Sequence, residues 1–127
     1  MEKVTGIGGL FFRAKDPLAL SAWYEQHLGV NAPPASYEDS VWMQEPGPTI
    51  FAPMDMASPD FPKDTQLYIN FRVNDLQAMC RQLEAAGITV QIDPETYPNG
   101  YFAALQDPEG NQIQLWQFVS PETTPAR

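Results

Sequence analysis

Residues 10–16 and 69–75 follow one pattern, and that internal repeat constrains the fold of this chain more than any other feature of it. Leu10-Phe11-Phe12-Arg13-Ala14-Lys15-Asp16 matches Ile69-Asn70-Phe71-Arg72-Val73-Asn74-Asp75, with Phe12 over Phe71, Arg13 over Arg72 and Asp16 over Asp75. Positions 10/69, 12/71 and 14/73 are all apolar, and such period-two alternation predicts a strand with one buried face. Asp16 and Asp75 then stand where helix N-caps stand, since a carboxylate there accepts orphan backbone N–H groups and suits the positive helix end. Leu20, Trp23, Tyr24 and Leu28 form an apolar stripe ended by Gly29. Leu76, Met79, Cys80, Leu83 and Ala86 do the same before Gly87. Trp23, Tyr24, Met79 and Cys80 are therefore read as core.

Short strand-like pieces follow each helix. Segments 101–106 and 111–118 flank Asp107-Pro108-Glu109-Gly110, which predicts a type I turn with a left-handed glycine and hence a hairpin. The first half carries a clipped version, 41–44 and 49–52 around Glu45-Pro46-Gly47. A further strand is expected over 88–92, with 35–38 as its weaker counterpart. The expected fold class is α+β: two tandem βαβββ modules forming a pair of curved mixed-sheet half-barrels. Module one covers about 6–52 and module two about 67–119, in a single domain. The aperiodic, proline-marked stretch 53–66 is a linker that lets the modules pack side by side. The polar tail 120–127 is expected to be loose.

Composition bounds the function. With 127 residues and 43% hydrophobic side chains the chain can bury a real core, and no apolar run approaches the length of a membrane span. The start of the sequence lacks a basic-then-apolar signal pattern, so a cytoplasmic location is expected. Cys80 alone forms no internal disulfide. A net charge of −9, from 16 acidic and 7 basic side chains, argues against nucleic acid and anionic membranes as partners. Simple solubility explains the acidity, and a neutral or cationic small ligand also fits it.

The two βαβββ modules, the strand-Asp-helix openings and the closing Asp107-Pro108-Glu109-Gly110-Asn111-Gln112-Ile113-Gln114-Leu115 together resemble the vicinal oxygen chelate superfamily. That group holds glyoxalase I, extradiol dioxygenases, fosfomycin-resistance transferases and bleomycin-binding proteins. The resemblance covers about residues 6–119 and implies that the half-barrels enclose a site, commonly with a divalent metal on His, Glu or Gln side chains. Carried onto this chain, the metal positions are Gly9, about Phe51, Tyr68 and Gln114. Glycine and phenylalanine offer no donor atom, and a protonated tyrosine is a poor ligand. The only histidine, His27, lies near the end of the first helix, where it suits the helix terminus. No metal and no cofactor are therefore expected.

Strand alternation predicts the lining of the cavity instead. If position 9 faces in, so do Phe11 and Arg13; position 68 brings Asn70 and Arg72; position 114 brings Gln112 and Trp116. Pairing across the hairpin sets Phe102 opposite Trp116, and repeat analogy turns Trp42 inward. The candidate ligand-binding residues are thus the aromatics Phe11, Trp42, Phe51, Tyr68, Phe102 and Trp116. Arg13, Asn70, Arg72 and Gln114 are their polar companions, and no catalytic residue is nominated. Such a box suits a flat organic or heteroaromatic ligand. The same aromatics would also serve simply to plug the half-barrels, and Arg13 and Arg72 to close surface ion pairs. Tyr97-Pro98-Asn99-Gly100 fits either a lid or an ordinary turn.

The function expected is that of a metal-free small-molecule-binding protein that sequesters a flat aromatic or cationic drug or metabolite. The resemblance implies a homodimer. The alternatives are a metal-dependent lyase or dioxygenase of the same superfamily, a metal-free isomerase or lyase, and a non-catalytic dimerising module.

Overall fold

Two aspartates start two helices. In a computed structural model that describes residues 1–65 and 67–119, Asp16 Oδ1 accepts the Ala19 N–H at 3.1 Å and opens α1, Pro17–Leu28. Asp75 Oδ1 accepts the Ala78 N–H at 3.0 Å and opens α2, Leu76–Ala85. The Leu76 N–H, a further orphan donor of that first turn, is taken by Gln117 Oε1 at 2.8 Å. Between and after the helices lie β1 (Ile69–Arg72), β2 (Gln91–Ile92), β3 (Gly100–Gln106) and β4 (Gln112–Phe118).

The second module forms as the repeat predicts, in the order β1, α2, β2, β3, β4. Its sheet runs β1-β4-β3-β2, with β1 parallel to β4 and the other pairs antiparallel. The β3–β4 hairpin closes through Asp107 N–H to Asn111 O and Gly110 N–H to Asp107 O, each at 3.0 Å. Gly110 sits at φ +86°, the left-handed position this turn requires. The register pairs Gln106 with Gln112, Ala104 with Gln114 and Phe102 with Trp116, as alternation predicts.

One face of this sheet holds the core. Ala103, Leu105, Ile113 and Leu115 project from β3 and β4 and meet Leu76, Cys80 and Leu83 of α2. Leu20 and Tyr24 of α1 join the same cluster, so the first module's helix packs on the second module's sheet. Full burial of a Leu or Ile here contributes about 2 kcal/mol each. The Asp107 carboxylate completes the attachment: it is buried, takes the Tyr24 hydroxyl at 2.7 Å, and also accepts from the backbone N–H groups of Glu109 and Asn111 and the Asn111 side chain. Beside it, the Glu109 carboxylate accepts the N–H groups of Lys15 at 2.7 Å and Asp16 at 3.0 Å, pinning the entry to α1.

The first module departs from expectation. Among the described residues, segments 10–13, 35–38, 41–44 and 49–52 carry no strand pairing, and Phe11 and Phe51 stand 93% and 83% exposed. The reason lies in pairing strength. In module two, β1 is held by a seven-residue β4, whereas the corresponding piece 49–52 is short and its turn includes Pro46 and Pro48, which donate nothing to a ladder. The strand expected over 88–92 is reduced to Gln91–Ile92. The expected linker 53–66 is described except for Gln66, and the tail 120–127 lies outside the described residues. Neither helix is long and apolar enough to cross a membrane.

Candidate functional site

The sheet face opposite the helices is only half-buried, and its side chains follow from the register. One cross-strand row holds Arg72, Trp116 and Phe102; the next holds Asn70, Gln114, Ala104 and Gln91. Gln112 and Gln106 pair one step further on. The face is therefore aromatic at one end and amide-rich at the other.

Each end is fixed by short contacts. The Trp116 indole N–H donates to Asn99 O at 3.0 Å, and its ring lies parallel to Phe102 with centroids 6.1 Å apart. Phe118 and Tyr97 approach this pair edge-on, Phe118 on Trp116 and Tyr97 on Phe102. Tyr97 and Gly100 exchange backbone hydrogen bonds, so 97–100 is a closed turn whose backbone holds the indole. The Tyr97 hydroxyl donates to Asp93 at 2.8 Å, and that bond pushes its pKa up to about 12. Asn70 Nδ2 donates to Gln114 Oε1 at 2.7 Å, and Arg72 Nη2 donates to Glu45 O at 3.0 Å. The Arg72 guanidinium lies so close to Gly47 that a Cβ there would collide with it. Tyr68 packs edge-on against Phe61, and burial first, then the Asp60 charge, raises its pKa.

A broad open hollow of about 1840 Å³ spreads over both modules; its border includes Phe11, Trp42, Phe51, Tyr68, Asn70, Arg72, Phe102, Gln114 and Trp116 but also Leu20, Tyr24 and Met79 of the helix side, so it does not single out the expected lining. Arg13 does not border it. The hollow exceeds the roughly 300–1,000 Å³ of a ligand pocket. Tyr68, Asn70, Arg72, Phe102, Gln114 and Trp116 come together on or beside the sheet face. Trp42 lies instead beside Phe71, at 6.4 Å between centroids, and Phe71 is turned to the helix face by its pairing with Leu115. Both turns are marked in the sequence, 97–100 as a lid or turn and 45–47 as a turn, but their contacts are not: the Asn99 carbonyl holds the indole and the Glu45–Gly47 turn holds Arg72.

Residues 9–116 match the model of the glyoxalase-like domain. The chain belongs to that family. An uncharacterised protein of Pseudomonas aeruginosa, PA2024, is 33% identical over 108 residues, covering 76% of this chain and 77% of its own. Among solved structures, TnmS3, an antibiotic binding protein from Streptomyces sp. CB03234, aligns with a TM-score of 0.61 at 19% identity over 94% of this chain and 100% of its own. Lactoylglutathione lyase from Agrobacterium tumefaciens aligns with a TM-score of 0.56 at 20% identity over 91% of this chain and 96% of its own. Two other solved structures are matched over only 46% and 50% of their own length. The match to the glyoxalase-like domain, with the likeness to TnmS3 and the lyase, shows the vicinal oxygen chelate fold.

At the positions that the resemblance assigns to the superfamily's metal ligands, this glyoxalase-like chain presents a poor donor set. Of Gly9, Phe51, Tyr68 and Gln114, only Gln114 offers a carbonyl oxygen, which already accepts from Asn70, and Tyr68 offers a neutral hydroxyl, a poor ligand. Tyr68 is held further from its phenolate form than a free tyrosine. Among the described residues no group of three His, Cys, Asp or Glu side chains is arranged to hold a metal ion. One neutral amide oxygen does not displace the hydration shell of a divalent ion.

Proposed function

We propose that this glyoxalase-like protein binds a flat organic molecule on the open face of its sheet and acts by holding it, without a metal. The observation that carries this reading is the gathering of Tyr68, Asn70, Arg72, Gln114, Phe102 and Trp116 on or beside one half-buried face. Aromatic area with a few fixed polar groups is the ordinary makeup of a small-molecule site. The donor set at the superfamily's metal positions supports a metal-free site, and the fold shared with an antibiotic binding protein is consistent with sequestration.

We further propose that a second copy of the chain closes the hollow. Ile7, Leu10, Phe11, Trp42, Ile50 and Phe51 are exposed in the single chain, and large exposed apolar side chains are what an association surface carries. Pairing of these segments against another copy supplies the missing wall.

Equilibrium titration of the untagged protein with planar one- to three-ring aromatic compounds tests the binding reading. Saturable binding is expected, weakened about tenfold or more in Phe102→Ala, whose side chain lies on the face and not in the helix-side core. No saturable binding by any planar compound would overturn it.

A further inference from the structure

The open face carries a cation, Arg72, at one end of its aromatic row and the Asp93 carboxylate at the other, although the molecule as a whole is strongly acidic. The chain as a whole carries −9, yet the side chains set on this face by the register are aromatic, amide or, at Arg72, cationic. Asp93 lies at the far end of the same row, its N–H bonded to Phe102 O. Its carboxylate is already committed, to the Tyr97 hydroxyl at 2.8 Å and the Glu95 N–H at 3.0 Å. The row thus runs from Arg72 through Trp116 and Phe102 to a carboxylate that has its partners.

Among the described residues, Arg72 makes one side-chain hydrogen bond. A guanidinium has five N–H donors in a planar fork that fits a carboxylate at two points, and Glu45 O takes one of them. Arg72 is half-buried, where a charged contact is screened less than at a fully exposed site. Trp116 is nearly covered, at 4% exposure, so it supports the row, while Phe102 and Arg72 are its half-buried members. These two stand on strands separated by β4, about 9–10 Å apart at two strand spacings. That span matches a fused ring system with an acidic group at its end.

The geometry points to a planar aromatic acid as the ligand class: fused rings against Phe102, the acidic group on the Arg72 guanidinium, and ring substituents within reach of the Asn70–Gln114 amide pair. The inference rests on the small-molecule reading above and narrows it, since the overall acidity by itself favours a cationic ligand.

The test compares three probes of one shape at fixed ionic strength by calorimetric titration: 2-naphthoate, 2-naphthamide and 2-naphthylmethylammonium. The acid is expected to bind about tenfold or more tightly than the amide, as a charged hydrogen-bonded pair should, and the ammonium compound least tightly. In Arg72→Gln the ratio of acid to amide affinity falls to about one. Equal binding of acid and amide by the natural protein overturns the inference, as does an acid preference that survives in Arg72→Gln. The comparison in the natural protein decides the matter even if that variant does not fold. Binding of all three alike leaves small-molecule binding standing and removes only the acid preference; binding of none removes both.

Discussion

The Tyr24 hydroxyl donates to Asp107 at 2.7 Å across 83 residues of chain, and burial is the main reason its pKa is driven far above the ordinary tyrosine value. Removing that hydroxyl leaves a buried carboxylate short of one donor, so Tyr24→Phe is expected to lower unfolding stability by about 1–3 kcal/mol, read from a denaturant melt. No loss would show that α1 is held by apolar contact alone. Tyr97 gives a second residue-level expectation. Its folded pKa of about 12 exceeds the usual value near 10 because the neutral hydroxyl donates to Asp93, so the stabilising bond is complete below pH 10 and is lost as pH rises through 12. Asp93→Asn should bring the Tyr97 ring carbon signals of a ¹³C-labelled sample to titrate close to 10; an unchanged midpoint would contradict this origin. The caps Asp16 and Asp75 were legible in the sequence because N-cap chemistry is local. The Tyr24–Asp107 bond was not, since helical periodicity places Tyr24 in the core and says nothing about a partner beyond the hairpin.

Among the elements, the β3–β4 hairpin and its turn were fully readable, register included, because loop length and the left-handed Gly110 fix them within a few residues. The first-module strands were legible only as propensity: alternation marks them as able to pair, but pairing is non-local and depends on what else is present. The strongest local constraint lies at the start of β3. Gly100, buried and at φ +135°, is approached so closely by the Gln117 carbonyl that a Cβ would overlap it, and the Trp116 indole nitrogen lies 3.1 Å from that point. Gly100→Ala is expected to cost about 2 kcal/mol or more and to loosen the indole's hold on Asn99, read as a fall in thermal midpoint with a red shift of tryptophan emission. A variant as stable as the natural protein would mean that the turn 97–100 has room to move.

At the scale of the whole molecule, composition pointed one way and the site another. Net charge is a statement about solubility and approach, not about the face a ligand touches, so the acidic balance gave no view of Arg72 between an aromatic row and the Glu45–Gly47 turn. The proposed pairing with a second copy rests on the exposed apolar segments. If a second copy covers them, the thermal midpoint should rise with protein concentration, and Phe51→Asp should shift sedimentation to a monomer. A concentration-independent midpoint with a monomeric natural protein would contradict the paired arrangement. The proposed site binds its ligand without a metal, beside a donor set too poor to hold a divalent ion. The measurement that tests this most directly is titration of the untagged protein with the tighter-binding naphthalene probe, before and after exhaustive chelation. The same affinity is expected in both. Binding that disappears on chelation and returns with a divalent metal would contradict it.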